Sequence, residues 1–73
     1  MTSTLFDIYE KTKKVRKIAP VGSVWDDGSE TMTVVSIRYY KGINYITYTV
    51  DEFGEYSDEC TFEAFIDHNE RVG

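Results

Sequence analysis

Two apolar runs, residues 31–40 and 44–50, are separated by only three residues, Lys41-Gly42-Ile43. Both runs are rich in β-branched and aromatic residues, which suit the half-buried surface of a pleated sheet. A glycine in so short a connection favours a tight turn between antiparallel strands. The sequence therefore predicts a central β-hairpin, against which the rest of the chain must pack or from which it must extend.

The length of 73 residues allows one small domain with a core of roughly ten side chains. Cys60 is the only cysteine, so an intramolecular disulfide and a cysteine-based zinc site are both excluded. No apolar run approaches the roughly 18 residues of a membrane span, and charges interrupt positions 1–20, so no signal-peptide core is present. We therefore expect a soluble, cytoplasmic protein without membrane contact.

The net charge of −5 is unevenly distributed along the chain. Residues 1–20 contain five basic and two acidic residues, a net charge of +3, whereas residues 21–73 contain three basic and eleven acidic residues, a net charge of −8. Residues 51–70 include eight acids and no lysine or arginine. This asymmetry indicates two surfaces of opposite charge, each of which could face a partner.

Residues 1–20 combine apolar side chains near helical spacing with a basic run from Lys11 to Lys17. Pro20 must end any helix at or before Ala19. A helix of this length is marginal in water unless its apolar face docks on the domain. We therefore expect either a short helix or a disordered basic arm here.

Residues 21–67 are predicted to form the β domain, with a first strand at 21–25, a turn at 26–29 and a fourth strand at 55–57. A short helical turn, capped by Asp58 or Thr61, should follow. Three apolar side chains at helical spacing should lie on one side of that turn: Phe62, Phe65 and Ile66. Residues 68–73 are expected to form a loose C-terminal tail.

Strict alternation along the hairpin predicts which side chains it buries. In the second strand the even-numbered positions include Ser36 and Arg38, so the even face should be the wetter one at that end. In the third strand the apolar face consists of Asn44, Ile46, Tyr48 and Val50. Ile46 is therefore expected to lie in the core.

The residue types offer little for catalysis or metal binding. His68 is the only histidine, and a pair formed by Cys60 and His68 would be the sole nucleophilic arrangement, but a solvated histidine is far more common. The acids after Val50 lack the spacing of a calcium-binding loop, and no glycine-rich phosphate loop is present. We therefore expect a protein that is not an enzyme and that needs neither a metal nor another cofactor.

Surface aromatic residues and charges are the better candidates for a function in binding. A thin sheet can bury only one face fully, so some aromatic side chains must face water, where tyrosine and tryptophan commonly anchor interfaces. The acidic stretch could dock on a basic protein, mimic a phosphate backbone or merely keep the domain soluble. The basic run could touch nucleic acid, although the chain as a whole is acidic. The candidate partner-binding residues are Trp25, Tyr40, Tyr45, Tyr56, Asp51, Glu52, Glu55, Asp58, Glu59, Lys13, Lys14, Arg16 and Lys17.

Five segments carry a resemblance to a known fold: Val21-Gly22-Ser23-Val24-Trp25-x-Asp27-Gly28, Thr33-Val34-Val35, Tyr45-x-Thr47-Tyr48, Tyr56-Ser57 and Phe62-Glu63-Ala64-Phe65-Ile66. In this order they resemble small SH3-like barrel domains of phage and bacterial origin. Those domains open with a glycine-centred strand and close with a short phenylalanine-bearing helical turn. We therefore expect a mainly β fold, either a small antiparallel sheet or an SH3-like, partly open barrel of about three to five strands.

The small size, acidic body, single cysteine and lack of a catalytic set also resemble phage-encoded regulators of bacterial RNA polymerase. This resemblance implies inhibition or redirection of host transcription, by sigma-factor interference or antitermination, in the host cytoplasm. It carries no shared motif from which site residues could be transferred. We expect a monomeric, protein-binding regulator of RNA polymerase; the alternative is a nucleic-acid-binding or peptide-binding SH3-like adaptor.

Overall fold

The computed structural model describes the backbone of residues 4–50 and 56–73, and side chains from residue 10 onward within those ranges. Its elements are α1 (Thr4–Ile18), β1 (Val24–Asp26), β2 (Thr31–Tyr40), β3 (Ile43–Thr49), β4 (Ser57–Thr61), α2 (Phe62–His68) and β5 (Glu70–Arg71). The strands form one antiparallel sheet in the order β4-β3-β2-β1-β5. The predicted mainly β class, with an open sheet and a short C-terminal helix, is confirmed.

The turn between β2 and β3 consists of two residues, because Ile43 already belongs to β3 and pairs with Tyr40. Lys41 and Gly42 both have positive φ angles, 49° and 83°. Two consecutive positive φ angles define the tight hairpin turn whose twist matches that of the flanking strands. The expected hairpin is therefore present, with a connection one residue shorter than predicted.

Replacing Gly42 with alanine should lower the free energy of unfolding by about 1–2 kcal/mol, because a Cβ atom disfavours the left-handed backbone at this position. Urea denaturation followed by tryptophan fluorescence measures the change. Lys41→Asn is the matched control, since asparagine accepts a positive φ more readily than lysine and should preserve or raise stability. Equal stability of the alanine variant and the parent protein would contradict the assigned turn.

A β-bulge in β2 changes which side chains face the core. The register with β3 shifts between Val34 and Ser36, which leaves Val35 as an extra, exposed residue. Before the bulge the even-numbered residues are buried, and after it Ile37 joins the core face opposite Ile46. The prediction of strict alternation along β2 is therefore wrong, because one inserted residue reverses the two faces.

The core lies between one face of the sheet and the two helices. From α1 it receives Val15, from the residue just after α1 it receives Ala19, and from α2 it receives Phe62 and Phe65. The sheet contributes Trp25, Met32, Val34 and Ile46. Residues 4–18 thus form a helix and not a disordered arm, and over residues 10–18, where side chains are described, its apolar side docks on the sheet. Of the described helices, none is long and apolar enough to cross a bilayer.

Residues 68–73 do not form the expected loose tail. Glu70 and Arg71 pair with β1, and Val24 exchanges further backbone hydrogen bonds with Val72 and Gly73. Arg71 also donates from Nη1 to the carbonyl oxygen of Ile18 at 3.3 Å, which ties the C-terminal end of α1 to this strand. The polar composition of this stretch does not predict a strand, because β5 forms through pairing with the distant strand β1 and not through local propensity.

The structure confirms the predicted N-cap of α2 but gives the preceding strand, β4, different bounds from those predicted. Thr61 Oγ1 accepts a hydrogen bond from the backbone N–H of Ala64 at 3.2 Å and so caps α2 as predicted. The fourth strand spans Ser57–Thr61 and so continues past the predicted end at residue 57, while residue 55 lies outside the described residues. The first strand begins three residues later than expected. Ile66 and Val50 are exposed, although both were assigned to apolar faces.

Candidate protein-binding surface

The outer face of the sheet, which we define as the face opposite both helices, carries the candidate site. Cross-strand register brings residues of β2, β3 and β4 together there in two rows. The rows are Ser36, Thr47 and Glu59, and next to them Arg38, Tyr45 and Thr61. Because α1 and α2 both pack on the inner face, neither described helix covers these side chains.

The centre of this face is a group that we call the Arg38 cluster: Arg38, Tyr40, Lys41, Tyr45 and Glu59. The Arg38 guanidinium donates two hydrogen bonds to the Glu59 carboxylate, from Nε and from Nη2, each at 3.0 Å. Its Cζ atom also lies 4.7 Å from the ring centroid of Tyr45 and 5.6 Å from that of Tyr40. The guanidinium is thus held in one orientation by a bidentate ion pair and two aromatic rings.

Lys41 adds a second cation to the cluster from the hairpin turn. Its Nζ atom lies 5.3 Å from the ring centroid of Tyr40, so this ring is close to two cations, Arg38 and Lys41. Tyr40 is 51% exposed, and the neighbouring Ile43 is 44% exposed. The end of the hairpin therefore presents aromatic, aliphatic and cationic surface together.

The ion pair shifts the pKa values of both partners in the expected directions. The hydrogen bonds from Arg38 lower the pKa of Glu59, and the same bonds raise the pKa of Arg38. Both side chains remain substantially exposed, so solvent screens their attraction. The pair therefore serves mainly to orient the guanidinium and contributes little to the stability of the domain.

An NMR pH titration should show that the pKa of Glu59 lies below the ordinary value of a glutamate, and Arg38→Met should move the Glu59 pKa back toward that value. Since the folded pKa is depressed, the contribution of the pair to stability is present above the unfolded pKa of glutamate. It disappears as the pH falls through the folded pKa. Identical Glu59 titration in the parent and in Arg38→Met would contradict the ion pair.

Trp25 lies in the core and not at the surface. Only 5% of it is exposed, its ring packs edge-on against Phe65 at a centroid distance of 5.1 Å, and its Nε1–H donates to Ser23 Oγ at 3.0 Å. The Ser23 hydroxyl in turn donates to the carbonyl oxygen of Pro20. The interpretation of Trp25 as a partner-binding residue is therefore wrong, because a local serine satisfies the indole and allows its burial.

The other predicted residues fall on separate parts of the surface. Tyr40, Tyr45 and Glu59 meet in the Arg38 cluster. Tyr56, just before β4, and Asp58, the second residue of β4, are exposed to solvent elsewhere. Asp51, Glu52 and Glu55 lie outside the described residues. The basic residues of α1 are exposed on the side of the helix away from the sheet: Lys13, Lys14, Arg16 and Lys17. The basic surface and the Arg38 cluster therefore lie on opposite sides of the domain.

Sequence reasoning missed Arg38 and Lys41 as site residues. The sequence analysis took Arg38 only as a sign that one face of the second strand is exposed to solvent. A two-residue turn at Lys41 and Gly42 places Arg38 directly opposite Tyr45. The signal was present in the sequence, because correct placement of the turn fixes every cross-strand pair of the hairpin.

Among the described residues, the other reactive side chains do not form a second site. Burial, followed by the negative charges of Asp58 and Glu59, raises the pKa of the Cys60 thiol, which is opposite to the shift that a nucleophilic cysteine requires. His68 is exposed at the end of α2. Within residues 4–50 and 56–73, no three metal-ligating side chains gather closely enough to hold an ion.

A comparison with models of known protein families found no match, and neither did comparisons with curated proteins and with solved structures. Functional inference therefore depends on the residues of this chain.

Proposed function

We propose that this protein is a non-enzymatic regulator that binds another protein through the outer face of its sheet. The observation that carries the proposal is the Arg38 cluster, in which an arginine contacts a carboxylate and two tyrosine rings on a face that neither described helix covers. Arginine and tyrosine dominate the energetics of protein interfaces, and residues that are ordered before binding lose less conformational entropy. The cluster thus has both the composition and the preorganisation of an interface centre.

The distribution of charge supports a protein partner with surfaces of both signs. Asp58 gives β4 a negative charge beside the cluster, and the exposed basic side chains of α1 provide a positive surface on the opposite side. Such separated charges steer encounter and fix orientation more than they add affinity. In this proposal the outer face makes the main contact and α1 makes a second contact on a large partner.

Bacterial RNA polymerase is the particular partner that we propose. The support is the resemblance in size, acidity and composition to phage-encoded regulators of that enzyme, together with a surface suited to binding. Docking would inhibit or redirect transcription, through sigma-factor interference or antitermination. On this proposal the protein works in the cytoplasm of a bacterial host.

Titration of the fluorescently labelled protein with purified bacterial RNA polymerase, with and without sigma factor, tests this proposal. Arg38→Met and Tyr45→Thr should each weaken binding by about tenfold or more, since each removes a central anchor. Val21→Thr is the control, because Val21 is 61% exposed in the connection between α1 and β1, away from the cluster. Absence of polymerase binding by the parent protein would contradict this partner, and equal binding by all variants would contradict the outer face as the site.

Single-stranded nucleic acid is the second candidate ligand, because tyrosine rings with an adjacent arginine and lysine on a sheet face can stack on bases. Neutralisation of Arg38 by Glu59 and the net charge of −5 weigh against it. A gel-shift titration over salt concentration separates the two, since phosphate contacts make affinity fall steeply with salt. Tight, strongly salt-dependent binding would favour the nucleic acid.

A further inference from the structure

β4 forms an edge of the sheet, with β3 as its sole strand neighbour in the described part of the chain. The N–H of Glu59 donates to Asp58 Oδ1 at 2.8 Å, which indicates that this N–H points away from β3. In an antiparallel pair, residues bonded to the neighbouring strand alternate with residues whose backbone groups point outward. Ser57 should therefore share the outward orientation of Glu59, and so should the N–H of Thr61, whose carbonyl belongs to the first turn of α2. These groups form a row with which a further strand could pair.

The charge of this edge indicates which kind of polypeptide segment could pair with β4. Asp58 and Glu59 are exposed within the strand, and Glu63 is exposed in the first turn of α2. Like charges at a sheet edge oppose pairing of two copies, whereas they attract a positively charged chain. The edge therefore favours an extended basic segment of a different protein over a second copy of this chain.

A groove of about 390 Å³ opens beside the start of β4 and fits a basic side chain. Its apolar surface and its carboxylates come from Met32, Tyr48, Val50, Tyr56, Asp27, Glu30 and Asp58. Burial, and then the negative charge of Asp58, raise the pKa of Tyr48, which is consistent with a negative potential in the groove. A lysine or arginine suits such a place, because its aliphatic stem packs on apolar surface while its cationic tip meets carboxylates.

We propose that the edge of β4 accepts an extended, basic segment of the partner protein as an additional strand, with one lysine or arginine side chain in the groove. This inference rests on the proposed function as a protein-binding module and adds the chemistry of the partner. Asp58 must release the Glu59 N–H when the strand is added, and its freed carboxylate then faces the basic segment. Backbone hydrogen bonds supply affinity, and the alternating side chains supply specificity.

NMR titration of the full chain with a synthetic peptide of about seven residues, alternating lysine and valine, tests the inference. The amide signals of Ser57, Glu59 and Thr61 should shift, and the Glu59 N–H should exchange more slowly with solvent in the complex. The same peptide with N-methyl groups on every second backbone nitrogen should bind at least about tenfold more weakly, because it cannot complete the ladder. Equal binding of both peptides, or shifts confined to α1 or the outer face, would overturn the proposal.

Two variants distinguish peptide binding at the edge of β4 from non-specific electrostatic attraction to the acidic domain. Ser57→Pro removes an outward N–H at the first residue of an edge strand, where proline is tolerated, and Asp58→Asn removes the charge at the groove. Both should weaken peptide binding, whereas Glu10→Gln, which removes one charge from α1, should leave it unchanged. An effect of Glu10→Gln as large as that of Asp58→Asn would contradict a site at β4.

Three further results distinguish the failure of this inference from the failure of the proposed function. Polymerase binding that depends on Tyr45 but not on Asp58, with no peptide binding, would overturn the edge site and leave the outer face intact. Protection of the Glu59 N–H that grows with protein concentration in the absence of peptide would assign the edge to a second copy and overturn the proposal. Peptide binding at β4 without polymerase binding would support the edge site and contradict the polymerase.

Discussion

Replacing Phe65 with alanine should lower the free energy of unfolding by about 3–5 kcal/mol, which is the usual range for a phenylalanine removed from a core. Only 1% of Phe65 is exposed, and its ring lies 5.1 Å from the centroid of Trp25 and 5.4 Å from that of Tyr48. It therefore joins α2 to β1 and β3. A domain of this size has roughly 5 kcal/mol of stability to lose, so a large fraction of the variant should be unfolded.

Urea denaturation followed by Trp25 fluorescence measures this effect directly, because the indole contacts the substituted ring. Ile66→Ala is the matched control, since Ile66 is the next residue of α2 but is 37% exposed. We expect the control to change stability by about 1 kcal/mol or less. Similar losses in Phe65→Ala and Ile66→Ala would show that the buried side of α2 is misassigned.

Ile46→Ala is expected to lower the free energy of unfolding by about 2–5 kcal/mol. Ile46 has no exposed surface and lies in the middle of β3, opposite Ile37 on β2 and Cys60 on β4. Truncation would leave a cavity between three strands that the backbone hydrogen bonds prevent from closing. Ile43→Ala, at a 44% exposed position on the same strand, should cost far less in the same thermal and urea denaturation experiments. An Ile46→Ala variant that melts like the parent protein would contradict the assignment of faces.

The hairpin and the cap of α2 could be predicted because both depend on residues close together in the sequence. β-branched and aromatic residues on both sides of Lys41-Gly42 define β2 and β3, and alternation in β3 correctly buried Ile46. Thr61 caps α2 because its hydroxyl reaches an N–H only three residues away. In each case, the physical cause lies within a few residues of the structure it produces.

The bulge at Val35 and the strand β5 could not be predicted, because their causes lie elsewhere in the fold. The bulge exchanges the faces of β2 so that both Val34 and Ile37 reach the core, which the alternation of residues within β2 does not predict. Glu70 and Arg71 have little strand propensity and become a strand through pairing with β1. Whether α1 forms a docked helix likewise depends on the burial of Val15 and Ala19 against the distant sheet.

The candidate site was only partly foreseen for the same reason. Tyr40, Tyr45 and Glu59 were chosen as surface residues, but the residue that joins them, Arg38, becomes visible once the cross-strand register is known. Trp25 was misassigned since its burial depends on the Ser23 hydroxyl and the Phe65 ring. A surface site assembled from three strands is defined by pairing, which composition alone does not give.

Hydroxyl-radical oxidation of side chains, read by mass spectrometry with the protein alone and bound to RNA polymerase, tests most directly whether the outer face is the partner surface. Our account predicts that Tyr40 and Tyr45 are oxidised in the free protein and protected in the complex. Formation of the complex with unchanged oxidation of both tyrosines would contradict it.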